Sequence, residues 1–167
     1  ARELNALTDV TPAILRFLRR VVHAADEAKV PIAVCGEMGG RTLEAMALIG
    51  ARLTVVEAGY VEIELPWRAE LTQQKGYVHG GILGMIADTA CGYSAFSLMP
   101  ADCSLVTVEY KMNILNPGRG GLVAKARVVK PGRTLTVARA EVYADDGKHV
   151  ATMLQTLMTL ADTPDTP

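Results

Sequence analysis

At 167 residues, 50% of them apolar and 21% charged, the chain has material for one packed domain, or for one domain with an appendage. Its 17 basic and 18 acidic side chains nearly cancel, which argues against a nucleic acid or an anionic membrane as partner. Cys35, Cys91 and Cys103 are odd in number and lack CxxC spacing, no apolar run reaches spanning length, and no signal-peptide pattern opens the chain, so the expected setting is a reducing cytoplasm.

In chain order, residues 11–28 place Ile14, Leu15, Leu18, Val21, Val22 and Ala25 at three- and four-residue spacing, with Thr11 as N-cap and Pro12 at the first helical position. That pattern predicts an amphipathic helix. PIAVC at 31–35 reads as a short buried strand, GEMGGR as a turn, and TLEAMALIG at 42–50 as a second helix closed by Gly50. Beyond Gly50 the grammar changes to strands and hairpins. YVEIELPW at 60–67 alternates Val61, Ile63 and Leu65 with Glu62 and Glu64, the period of a half-buried strand. Later come LVTVEYKMNIL, GLVAKARVVK, TLTVARAEVYA and HVATMLQTLMTL, separated by the turn signals NPGRGG, KPGR and DDGK.

Between the two groups of strands lies GYVHGGILGMIADTACGYSAF, residues 76–96, apolar nearly all round except for Asp88. A helix from Gly80 to about Leu98 with Ile82, Leu83, Met85, Ile86, Ala90, Tyr93 and Phe96 on every side should be enclosed rather than laid on a surface. Two of the later strands present Ala124, Ala126 and Val128, and Ala138, Ala140 and Val142, on one face, which leaves room for something bulky. A curved antiparallel sheet wrapped around one central helix satisfies both requirements. The expected class is α+β, a hotdog arrangement, with an N-terminal helix-strand-helix appendage.

Q-x-x-G-x-V-H-G-G from Gln73 to Gly81, A-D-T-A at 87–90, V-T-V-E-Y-K at 106–111 and the GRTLTV segment together resemble the hotdog acyl-CoA thioesterases of the phenylacetate-degradation type, over about residues 46–161. The first fifty residues, including CGEM at Cys35, resemble instead a fragment of the phosphoenolpyruvate-binding barrel of phosphotransferase-system enzyme I relatives. A whole barrel of that kind needs about 250 residues, and its metal- and phosphate-binding strands are absent, so this segment is read as non-catalytic. The expected layout is residues 1–45 as appendage, 46–161 as hotdog domain and 162–167 as tail.

Thioester hydrolysis needs a polarised carbonyl and a nucleophile or water-activating base. Gly80 and Gly81 open a helix, where N–H groups and the dipole suit a developing oxyanion. Asp88 is the candidate base or nucleophile. Eight residues of helix, about 12 Å, separate it from Gly80, too far for both to reach one thioester in one chain. Two antiparallel helices side by side would pair Gly80 of one with Asp88 of the other, which predicts a homodimer with two shared sites. The resemblance implies the same dimer, and a dimer of dimers beyond it. It also implies that Gln73 positions water or the thioester, and that His79 braces the loop and is a candidate contact of the thioester. Thr89, Gly92 and Thr107 are candidates for lining the pocket. Lys111, Arg119 and Arg133 are candidates for the coenzyme A phosphates. His23 and His149 lack a second ligand at metal spacing, so no metal or other cofactor is expected. The rival readings are a non-catalytic acyl-CoA-binding or assembly module and a hotdog hydratase or dehydratase. The second would place a histidine after an aspartate or beside a glutamate, whereas His79 precedes Asp88.

Overall fold

The computed structural model describes residues 40–99 and 103–161, with side chains from residue 45 onward. The expected helix at 11–28, the strand at 31–35 and the 162–167 tail lie outside these residues. Helix α1, Gly40–Ile49, straddles the expected boundary near residue 45 and buries Met46 and Ile49 in the main core. It stops where Gly50 takes φ +75°, a value that costs glycine no steric penalty. The Gly50 N–H then bonds the Ala47 carbonyl and the Ala51 N–H that of Met46, both at 2.9 Å, which closes the last turn as a Schellman motif.

Six strands follow: β1 Arg52–Glu57, β2 Tyr60–Leu65, β3 Ser104–Ile114, β4 Leu122–Lys130, β5 Leu135–Ala144 and β6 His149–Leu160. They form one sheet in the order β1-β2-β4-β5-β6-β3, with every neighbouring pair antiparallel. Alternation decides the faces. Val61, Ile63 and Leu65 are buried while Glu64 is exposed, and Ala124, Ala126, Ala138, Ala140 and Val142 are wholly buried on the same side. Against this alanine-lined surface lies α2, Gly80–Phe96, packed on β4, β5 and β2 and reaching β3 and β6. Residues without bulk let the helix approach the sheet closely, and the expected hotdog architecture is the one observed.

The helix departs from expectation in one respect. It is not enclosed on all sides within one chain. Leu83, Ile86, Ala87, Ala90, Cys91 and Ala95 are buried, but Gly81, Met85, Asp88, Gly92 and Phe96, which follow one another at helical spacing, form a stripe left partly or fully open. The edge strand beside it is open too. β3 leaves Val106 41%, Val108 54% and Tyr110 51% exposed, far from the usual fate of apolar residues in a strand.

A register shift between Thr107 and Glu109 marks a β-bulge at Val108. Thr107 faces α2 on one side of the bulge, and Tyr110, Met112 and Ile114 face it on the other, with Tyr110 and Met112 meeting Gly84 and Ile114 meeting Gly80. A regular strand would turn either Thr107 or these three away from the helix, so the extra residue aims all four at it.

Candidate active site

Three elements converge on Asp88. Its Oδ1 accepts hydrogen bonds from the Thr107 hydroxyl on β3, at 2.9 Å, and from the Gln155 amide on β6, at 2.6 Å. The same Gln155 nitrogen donates to the Thr107 oxygen at 2.8 Å. The directions are mutually consistent: the threonine gives its single proton to the carboxylate and accepts from the amide, whose second proton goes to the carboxylate. Asp88 is half-buried on the open stripe of α2, with Gly92 one turn further on.

The second group of residues lies at the start of the same helix. His79 is the N-cap, with extended backbone, and its Nδ1 accepts the Gly81 N–H at 2.9 Å. Its carbonyl takes the N–H groups of Ile82 and Leu83. The Gly80 N–H has no acceptor among the described residues. Of the glycine pair, therefore, only Gly80 offers a donor to a ligand, and the dipole of a seventeen-residue helix lies behind it. With Nδ1 accepting, the imidazole of neutral His79 carries its proton on the exposed Nε2.

A groove of about 340 Å³ runs beside that N–H, lined among others by Gln73, Tyr77, Gly80, Leu83 and Ile114. The Gln73 Oε1 accepts the Lys75 N–H at 2.6 Å, which holds the side chain within its turn and leaves the amide nitrogen as the end available to a ligand. Arg119 donates to the Tyr77 hydroxyl at 3.0 Å and lies 4.6 Å from the centroid of its ring, so its charge is held at the rim of the groove. Asp88 does not line this groove. One chain thus holds these candidates in two separate groups, Gln73, His79, Gly80 and Arg119 at one end of α2 and Asp88 with Thr107 further along it.

The remaining candidates divide. Thr89 is 8% exposed and turned into the core, whereas Gly92 sits on the open stripe opposite Leu105. Lys111 is exposed on the side of β3 away from the helix. Arg133, in the β4–β5 turn, lies toward the Ser104 end of the sheet, as the neighbouring bond from the Thr159 N–H to the Thr134 carbonyl shows, while Arg119 lies beyond the Ile114 end. Cys91, close to Asp88, is buried, and burial first, then the charges of Asp88 and Glu141, push its thiol far up, so it stays a neutral, structural side chain. His149 pairs at 2.7 Å with Glu141.

Gln155 was not among the expected site residues, although the sequence carried a signal for it. The inward positions of β6 run Ala151, Met153, Gln155, Leu157, and a polar residue at that period interrupts an otherwise apolar face.

Comparison with known proteins agrees with this fold. The family model described as Thioesterase superfamily matches residues 75–151. A thioesterase family protein from Silicibacter pomeroyi, of known crystal structure, is 42% identical, with TM-score 0.70, covering 87% of this chain and 98% of its own. This chain belongs to the thioesterase superfamily. A putative esterase from Halobacterium salinarum is 31% identical to this superfamily member over 102 residues, 58% of this chain and 68% of the relative. The E. coli PaaI protein from the phenylacetic acid degradation operon, 20% identical with TM-score 0.71 over 90% of this chain and 98% of its own, shares the fold. The phosphoenolpyruvate-enzyme resemblance of the first fifty residues gains no support from these matches, and Cys35 lies outside the described residues. No helix among the described residues is long and apolar enough to cross a membrane.

Proposed function

We propose that this protein hydrolyses an acyl-CoA thioester to the free acid and coenzyme A at two shared sites of a homodimer. The observation that carries the proposal is the separation of chemistry along α2: an N–H without an acceptor at Gly80, a hydrogen-bonded carboxylate at Asp88, and about 12 Å of helix between them. Each group is incomplete alone.

The open edge of β3 supports the dimer. Two such edges joined antiparallel about a twofold axis would cover Val106, Val108 and Tyr110, lay the open stripes of the two helices together, and bring the Ser104 end of one strand to the Ile114 end of the other. Asp88 and Arg133 of one subunit then serve the groove bounded by Gly80, Gln73 and Arg119 of the partner subunit. In this arrangement the thioester oxygen accepts the Gly80 N–H, aided by the helix dipole and by the Nε2–H of His79. Asp88 attacks the carbonyl carbon or takes a proton from water that does so. The Gln73 amide orients that water or the thioester. Thr107 holds the carboxylate, Gly92 leaves space beside it, and Thr89 backs the helix at that level. Arg119 and Arg133 face the coenzyme A phosphates, whereas Lys111, on the side of β3 away from the helix, is left out of the site. Met85 and Phe96 surround the acyl end, which suits an aromatic or medium-length chain, while Tyr77 stays with Arg119 at the rim of the groove.

The test is thiol release from a panel of aromatic and aliphatic acyl-CoA esters by the purified protein and by Asp88→Asn. The wild type releases thiol, and the variant folds but loses the activity. Normal turnover by Asp88→Asn sinks the role of Asp88; saturable acyl-CoA binding without thiol release by the wild type would make the protein a binding module instead.

A further inference from the structure

Gln155 lies in the middle of β6, paired with Ala138 of β5 on one side and Tyr110 of β3 on the other. It is 1% exposed, in line with the buried side chains of Met153 and Leu157. Its amide nitrogen donates to Asp88 Oδ1 and to the Thr107 hydroxyl oxygen, while its own Oε1 is buried and has no donor among the described residues. Reversing the amide would not help, because it would set two acceptor oxygens against each other at Asp88.

A buried carbonyl oxygen stripped of water and given no donor is a net cost to the fold. Methionine or leucine at this position would continue the apolar face without that cost. The glutamine therefore weakens the core at the inward position from which an N–H reaches the carboxylate. The alternation of β6 and the bulge in β3 serve the same geometry, since one aims Gln155 and the other aims Thr107 at a single oxygen of Asp88.

We infer that Gln155 is a positioning residue for the reaction, clamping Asp88 by Oδ1 so that Oδ2 is the oxygen presented to the thioester or to the attacking water. Among the described residues Oδ2 accepts no hydrogen bond. Two donors on one oxygen and none on the other fix the rotation of the carboxylate about its last bond. The inference rests on Asp88 being the reacting group of the proposed thioesterase, and Gln155 itself touches no substrate.

The variant Gln155→Met keeps length and removes both donors. In the thiol-release assay it lowers kcat about 10- to 100-fold, the usual scale for loss of a group that orients a reacting one, with KM within about twofold of wild type. Added to Asp88→Asn, the same change costs no further activity. Wild-type kcat in Gln155→Met, or an equal further loss in the Asp88→Asn background, overturns the inference. Should the wild type release no thiol, the functional reading fails separately and thermal melting still reads the clamp: Gln155→Met raises Tm more in the Asp88→Ala background than with Asp88 present. Equal shifts in the two backgrounds would show that the amide does nothing for the carboxylate.

Discussion

The substitution Gly80→Pro removes one proposed catalytic donor and little else. Gly80 is the first residue of α2, a position whose N–H has no intrahelical partner and where proline is favoured. His79 already has φ −61° and ψ 138°, the extended backbone that a residue before proline needs. A Cβ at Gly80 would lie 3.2 Å from Ile114 Cδ1, the tip of a flexible side chain that can give by a few tenths of an ångström. The helix should therefore form as before, with Tm close to that of wild type. Loss of one oxyanion donor costs about 2.7–4 kcal/mol, or roughly 10²- to 10³-fold in kcat. Because the donor acts mainly on charge developed in the transition state, KM should hardly move. Gly80→Ala, which adds the same Cβ but keeps the N–H, is the steric control and should retain most of the activity. Kinetics of thiol release on the three proteins decide the matter. A folded Gly80→Pro enzyme with kcat near that of wild type would refute the role of this N–H.

Two further outcomes follow from other parts of the structure. Val108→Lys puts a charge on the open edge of β3, and light scattering should find monomers in place of dimers, with thiol release falling alongside; a fully active monomer would contradict shared sites. The Tyr60 phenol is pushed up to about 12 by burial first and then by its hydrogen bond to Glu62 and that carboxylate's charge. An acid whose folded value is raised stabilises the fold fully below its ordinary value near 10 and loses that contribution as pH climbs toward 12. The stability advantage of wild type over Tyr60→Phe should vanish across that window, and a tyrosinate absorbance titration with no phenol ionising late would contradict it.

Much of the fold could be read from residue patterns, because strand faces and helix surfaces are periodic. The alanines of β4 and β5 announced a close-packed helix, NPGRGG and DDGK fell between strands, and KPGR began on the last residue of β4. The limits are equally physical. A bulge such as that at Val108 depends on how two distant strands align, and no local pattern around Val108 marks it. The apolar girth of α2 suggested complete enclosure, yet hydropathy does not distinguish burial within a chain from burial between chains. The glycine pair looked equivalent in sequence, and only the position of the His79 ring separates Gly80 from Gly81. Gln155 interrupted a visible apolar period, but its partner is 67 residues away in sequence, so its purpose emerges only when β6 is laid across α2.

The claim that each site is built from two chains can be tested without any structure of the complex. Asp88→Asn and Gly80→Pro proteins, each nearly inactive alone, are unfolded, mixed in equal amounts and refolded together. In a randomly assorted mixture half the dimers are mixed, and shared sites leave each of these one intact site of two, so thiol release should recover to about a quarter of the wild-type value. If Asp88 and Gly80 of the same chain formed the site, every site in the mixture would carry a lesion, and the activity would stay at the level of the two separate variants.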